Sequence, residues 1–278
     1  MRQRQFAVSR RSLLGGLAIG AIGVTLGAPG TASARRAEAR FGCFNIHHGA
    51  SPDDVMDLER IARRIEALNC DVIGLQEVDR FWKRSGFVDE PAWLAERLGL
   101  EVAFGANLDL APEEPGRPRR QYGTAVLSRW PIAESENTLL PKSGDDEQRG
   151  LLRTVLDAPG GAFVFANTHL QHGTDESVRV AQAELIIEIL GDAPQRTVLV
   201  GDFNAEPGAE SIDVIANRLP DAWAAAGDGD GLTYPSDNPH ARIDFVFAAP
   251  DVKPAAMAVD AEDPSASDHL PLSGTFAF

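Results

Sequence analysis

Nine short apolar runs spaced between residues 40 and 278 limit what this chain can fold into more than any other feature. They are "RFGCFNI" (40–46), "DVIGLQE" (71–77), "EVAFGAN" (101–107), "YGTAVLS" (122–128), "GLLRTVLD" (150–157), "AFVFANTHL" (162–170), "TVLVGDF" (197–203), "RIDFVFA" (242–248) and "LSGTFAF" (272–278). Runs of this length, rich in Val, Leu, Ile and Phe, read as strands, and "VLVG" looks buried on both faces. Gly160-Gly161 between two of them signals a hairpin. Helical spacing appears at Leu58, Ile61, Ile65 and Leu68, and again as a stripe of Val178, Ala181, Leu185 and Ile189 ended by Gly191. Pro91 opens a short helix at a favoured first position, and residues 209–218 suggest a fourth. Strands joined by both hairpins and helical crossovers predict an α/β (α+β) fold of mixed sheets with helices outside, in one domain. The segment from Asn107 to Gln121, with Pro112, Pro115, Gly116 and Pro118, predicts a long loop of functional use.

Residues 1–34 read as an export signal. Arg2, Arg4, Arg10 and Arg11 precede a Gly-rich apolar stretch from Leu13 to Ala28, and Ala32-Ser33-Ala34 offers a cleavage site. Arg10-Arg11 in "SRRSLL" resembles a twin-arginine address for proteins exported folded. A membrane anchor is the competing reading, but it needs about 18 continuous apolar residues, and this stretch is shorter and interrupted by glycine. The expectation is a secreted, extracytoplasmic domain of residues 35–278 with no transmembrane anchor. Removing the signal's four arginines takes the formal net charge from −15 to −19. Such acidity keeps a protein soluble and repels polyanions, which argues against a nonspecific nucleic-acid binder. A nuclease stays open, because a bound metal makes a local positive spot.

Polar residues interrupt or end the apolar runs, where side chains leave the core while the backbone stays rigid. Asn45 ends the first run, Glu77 the second, and His169 follows "FVFANT". Asp202 and Asn204 follow "VLVG", Asp244 lies within "RIDFVF", and Asp268-His269 precede the last strand. A carboxylate at a strand end is commonly a cap or turn residue, so the weight rests on their joint occurrence. Glu77, Asp268 and Asn45 offer carboxylate and amide oxygens, a set suited to Mg²⁺ or Mn²⁺. Asp202 can deprotonate a water with Asn204 beside it, and His269 paired with Asp244 can stabilise charge on a phosphoryl oxygen. His47-His48 tempts a zinc reading. Adjacent residues on an extended chain point to opposite sides, so a loop or supporting role is expected instead.

Seven segments, "FNIHHG", "DVIGLQEVDR", "YGTAVLSRWPI", "NTHL", "VLVGDFNAEPG", "RIDFVF" and "SDHLPL", occur in this order. Together they make the chain resemble the endonuclease/exonuclease/phosphatase superfamily over nearly all of 38–278. The resemblance implies a four-layer α/β-β/α sandwich and metal-dependent phosphoester hydrolysis. It places Asn45, Glu77 and Asp268 at the metal and His169 on phosphate. It makes Asp202 and Asn204 the water-activating pair and Asp244 and His269 an Asp-His dyad. Arg149 in "QRGLL" matches a phosphate-contacting arginine, with Arg153 as its rival.

If Asn45 and Glu77 meet at one ion, Cys43 and Cys70 lie at staggered depths, too far apart for a disulfide. Two reduced, buried thiols are expected. Substrate specificity belongs to loops, and two are distinctive: "DRFWKRSG" (79–86), with Trp82, Lys83 and Arg84, and "GRPRRQYG" (116–123), with Arg117, Arg119, Arg120 and Tyr122. They are either stray surface charge or a grip for a second phosphate or anionic head group. Arg149, Arg120 and Tyr122 are the expected substrate contacts. The leading reading is a monomeric, secreted phosphoesterase acting on a phosphodiester or phosphomonoester, with no obligate protein partner. The alternatives are an extracellular nuclease and, in another class, a non-catalytic binder on the same scaffold.

Overall fold

A computed structural model of the protein describes residues 37–191 and 194–278. The export signal expected over 1–34 lies outside the described residues. In chain order the strands are β1 (Glu38–Asn45), β2 (Val72–Arg80), β3 (Glu101–Leu110), β4 (Arg120–Ser128), β5 (Ile132–Leu139) and β6 (Gly150–Ala158). They continue as β7 (Gly161–His169), β8 (Thr197–Asp202), β9 (Asp244–Ala248), β10 (Lys253–Val259) and β11 (Leu272–Ala277). The helices are α1 (Leu58–Leu68), α2 (Glu90–Leu98), α3 (Glu176–Leu190), α4 (Glu210–Ala216) and α5 (Ala222–Ala226).

Period-two alternation sorts the strands into layers. On β1, Phe41 and Cys43 join the core shared with the second sheet, while Phe44 packs among α1 and α2 residues such as Ile61, Ile65 and Leu94. The result is two mixed sheets flanked by helices, with strand orders β10-β11-β1-β2-β4-β3 and β5-β6-β7-β8-β9. The parallel pairs are β1/β2 and β7/β8. Both pairs run their carboxyl ends toward one rim, where the site is built. The sheets approach closely at Gly74, where an added Cβ would lie 2.4 Å from Val200 Cγ2.

Caps fix the helix starts: Asp57, Asp89 and Asp175 accept from the backbone N–H of Arg60, Ala92 and Ser177. The α3 span matches the spacing, but its buried face does not. Arg179 and Gln182 are buried with Val178, Ala183 and Ile186, while Ala181, Leu185 and Ile189 are only half-buried. Hydrogen bonds explain the rotation. Arg179 Nη1 donates to the carbonyls of Gln171 and Gly173, and Gln182 donates to the carbonyl of Pro141. β5 carries no apolar run because it is a sheet edge, where polar side chains protect the open ladder, while β10, also an edge, is a short Ala-rich stretch (KPAAMAV) in which only Met257 is buried. The expected 107–121 loop is shorter, since β3 reaches Leu110 and β4 begins at Arg120.

The cysteines are free and buried on opposite faces of the first sheet, Cys43 in the inter-sheet core and Cys70 under the helices. Burial pushes both thiols up, Cys70 to about 12. The expectation of two reduced thiols agrees with this placement.

Candidate active site

Glu77 owes its position to an irregularity in β2. The β2/β4 register shifts between Leu75 and Val78, and Glu77 has φ +58, in the left-handed region that side chains rarely adopt. A bulge of this kind re-aims a side chain. It is held from the other sheet: Asn167 on β7 donates to the carbonyls of Leu75 and Ala125, each at 2.8 Å, and accepts from Gln76 at 2.6 Å. Other left-handed residues lie at the same rim: His47 (φ +45), His48 (φ +42) and Asn204 (φ +49). Backbone strain of this sort costs free energy and collects at functional sites.

Asn45, fully buried at the end of β1, ties the two sheets' carboxylates together. Its Nδ2 donates to Glu77 Oε1 and to Asp202 Oδ2, both at 3.1 Å. Its Oδ1 accepts from the backbone N–H of His47. Asp202 ends β8 and also accepts from the backbone N–H of Asn204 at 2.9 Å. His269 Nδ1 lies 2.8 Å from Asp244 Oδ2, and its Nε2 lies 3.6 Å from Asp202 Oδ2. His169 stands on the other side, Nε2 3.0 Å from the Asn204 amide nitrogen and 3.5 Å from Asp202 Oδ2. Arg149 Nη1 reaches His169 Nδ1 at 3.1 Å and Glu147 at 2.7 Å.

Burial sets the protonation pattern. It pushes the Asp202 carboxyl above its usual range; His269 pulls against the rise and Asp244 adds to it. Burial disfavours charge on His269, but the carboxylates of Asp244 and Asp202 outweigh it and raise the imidazole. Together these shifts keep a proton on His269 and leave Asp202 able to accept one, as a base for water must. His169 is held neutral by burial and by the neighbouring Arg149 charge.

These groups open onto a cavity of about 330 Å³ lined by Glu77, Tyr122, Glu147, Arg149, His169, His172, Asp202, Asn204, Tyr234, Ile243, Asp268 and His269. Its four carboxylates outnumber its two cations, Arg149 and the protonated His269, a surplus that attracts a divalent cation. Glu77 has a second carboxylate oxygen free of the Asn45 bond, and Asp268 shares the cavity. These hard oxygen donors fit Mg²⁺ or Mn²⁺. Asp202, Asp244 and His269 also offer ligand atoms within 4.8 Å of one another, and Asp244 Oδ1 is buried without a partner.

Of the expected site residues, the fold gathers Asn45, Glu77, His169, Asp202, Asn204, Asp244, Asp268 and His269, and Arg149 and Tyr122, expected to touch substrate, line the same cavity. Arg149 rather than Arg153 lines the cavity. Arg120 does not: its Nη1 is 2.9 Å from Glu113 and its guanidinium stacks 4.4 Å over Trp82. The other loop cations are paired as well, Arg84 with Asp79, Lys83 and Arg117 with Glu114, and Arg119 with Asp109. The loops therefore form a paired aromatic-guanidinium stack, five cations against four carboxylates, rather than a free cationic grip. His47-His48 also departs from expectation. The chain there is a 3-10 turn, not extended, so the two rings meet edge to face, with centroids 4.4 Å apart and planes at 65°.

Sequence reasoning missed Tyr234, whose ring lies 4.8 Å from that of His269, together with Glu147 and His172. Glu147 had a local signal, standing two residues before Arg149; Tyr234 sits in an irregular segment with none. Ser267 was also missed as a positioning group: its hydroxyl donates to the Asn45 carbonyl at 2.7 Å and accepts from the His269 N–H at 3.3 Å.

The model of the Endonuclease/Exonuclease/phosphatase family matches residues 42–269. The Escherichia coli protein YbhP, described as uncharacterized, is 27% identical over 252 residues, covering 83% of this chain and 92% of YbhP. The Schizosaccharomyces pombe protein cwh43 is 27% identical over 174 residues, 63% of this chain, and that match spans only 17% of cwh43. Among solved structures, an endonuclease/exonuclease/phosphatase from Beutenbergia cavernae superposes with TM-score 0.74 at 28% identity, over 88% of this chain and 72% of that one. The mannosyl-6-phosphatase of Bacteroides thetaiotaomicron superposes with TM-score 0.68 at 19% identity, over 86% of this chain and all of that one, a likeness of fold.

Proposed function

Since the chain belongs to the endonuclease/exonuclease/phosphatase family, whose members hydrolyse phosphoester bonds, we propose that it is an exported, divalent-metal-dependent phosphoesterase using an Asp-activated water. One observation carries the reading: the Asn45 amide donates at 3.1 Å to both Glu77 and Asp202, so the metal-site carboxylate and the base belong to one site. Glu77 and Asp268 would hold Mg²⁺ or Mn²⁺, which when bound neutralises phosphate charge and polarises the phosphorus–oxygen bonds.

The chain's own residues account for the rest. Asp202 Oδ2 takes the proton of the attacking water while the Asn204 N–H fixes its other oxygen. Arg149, buried and braced by Glu147, presents its guanidinium to the non-bridging phosphate oxygens, with neutral His169 beside it. His269, kept charged by Asp244, stabilises the developing phosphoryl charge without having to be reprotonated. Tyr122 and Tyr234 wall the cavity and limit the group attached to the phosphate. Export is supported by the arginine pair, apolar stretch and cleavage pattern of residues 1–34.

The test is hydrolysis by the purified chain of DNA, RNA, lysophospholipid, sphingomyelin, inositol phosphates and a hexose 6-phosphate, with and without chelator. Chelator-sensitive release from at least one substrate is expected. Binding without turnover across the panel would instead support a binding protein, and plasmid degradation lost in His269→Ala would promote the nuclease reading.

A further inference from the structure

Beside the active cavity, His47, His48 and Glu77 each offer one ligand atom, all within 4.8 Å of one another. We propose that these three residues form a second divalent-cation site, selective for a zinc-class transition metal rather than magnesium.

The hydrogen bonds specify which atoms are available. His47 Nδ1 lies 3.2 Å from the carbonyl oxygen of Ser51, which only accepts, so Nδ1 carries the proton and Nε2 is left with a lone pair. His48 Nε2 lies 3.0 Å from Asp54 Oδ1, so it is the donor there. That leaves the His48 Nδ1 lone pair, and this atom is buried with no hydrogen-bond partner, on a side chain only 6% exposed. A buried ring nitrogen without a partner is costly. Glu77 uses Oε1 toward Asn45 and keeps its other oxygen, which this site would share with the Mg²⁺ proposed for the cavity. Each imidazole thus has one nitrogen tied to a carbonyl or carboxylate and the other bare, the arrangement that orients histidines on metals.

The backbone supports the same reading. All three ligand residues have φ between +42 and +58, so the turn and the bulge are strained in the way that turns these side chains together. The neighbouring Arg84 is neutralised by a two-point contact with Asp79 and does not leave a net repelling charge. Two imidazoles and a carboxylate suit zinc, manganese or cobalt, and leave a further position for water.

Metal retention can be measured without turnover, and although Glu77 also serves the proposed Mg²⁺ site, His47 and His48 take no part there, so their variants test this site apart from the phosphoesterase reading. The full-length chain is stripped with chelator and titrated calorimetrically with Zn²⁺ in excess Mg²⁺, then with Co²⁺ while its ligand-field absorption is followed. One Zn²⁺ per chain that Mg²⁺ does not displace is expected, together with a Co²⁺ spectrum showing nitrogen ligation. His47→Gln and His48→Gln should each weaken binding by at least ~100-fold, and Asp54→Asn, which frees the ring it orients, by ~10-fold. His47 is half-buried, so His47→Gln remains decisive if His48→Gln lowers the melting temperature. Unchanged Zn²⁺ affinity in His47→Gln, one-for-one displacement by Mg²⁺, or loss of the ion in Asp244→Asn instead would each overturn the proposal, the last by placing the ion at Asp202, Asp244 and His269.

Discussion

Arg117, Arg119 and Arg120 crowd one short loop, whereas Arg149 stands just before β6 with no basic neighbour within three residues. In the folded molecule each loop arginine is matched to its own carboxylate, and two of the guanidiniums lie over Phe87 or Trp82. Arg149 is buried, shares one carboxylate with the cavity wall and touches His169. The difference is one of solvent. An exposed pair in high dielectric is cheap and weak, while a buried guanidinium facing a cavity keeps its field for whatever enters. Crowded charge in this sequence therefore marks where acids and bases meet on the surface, and the phosphate contact proposed for Arg149 rests on its burial.

That contrast can be broken by substitution. The largest effect is expected inside the cavity, where Asp202→Ala should lower kcat by at least ~100-fold with the fold retained; stopped assays beside a circular dichroism melt would read it. Arg149→Ala should cost ~10²- to 10³-fold in kcat/KM. Arg149→Lys should recover only part of this, because the planar two-point fork is lost. A full recovery would reduce Arg149 to a point charge and weaken its contrast with the loop.

The pH profile sharpens the same side. Asp202 acts only when deprotonated, and burial raises its pKa, so the rate should climb with pH through a limb above the usual Asp value of about 3.9. His269 acts when protonated, and Asp244 raises it, so the rate should fall again at higher pH. Asp244→Asn removes that support and should move the alkaline limb to lower pH. An unmoved limb would detach it from His269.

Asn167→Ala tests the inter-sheet brace. It strands the carbonyls of Leu75 and Ala125 and the Gln76 amide, which should cost about 2–3 kcal/mol in urea unfolding. The smallest effect belongs to the loop: Arg120→Ala should change stability by less than about 0.5 kcal/mol and leave kcat/KM unaltered. A large loss there would restore the loop as a substrate grip.

Much of the site was legible because strand ends are legible. Asn45, Glu77, His169 and Asp202 each terminate or follow an apolar run, and the parallel pairs β1/β2 and β7/β8 carry those ends to one rim. What escaped the sequence is what depends on the third dimension. β5 is an edge strand with no apolar face to advertise it, and β10 is an edge strand of mostly small residues with only Met257 buried. The α3 stripe was misread because Arg179 and Gln182 are buried for their hydrogen bonds, which outweigh the apolar count. His47-His48 was judged on extended geometry, and the left-handed turn that brings the rings together edge to face has no glycine at either position to announce it. Tyr234 reaches His269 from a segment with no periodicity at all.

The two thiols also decide how the molecule meets its surroundings. Buried on opposite sides of one sheet and held in the thiol form by burial, Cys43 and Cys70 cannot join each other. The covalent framework of the fold therefore carries no bridge between them, whatever the redox state of its surroundings.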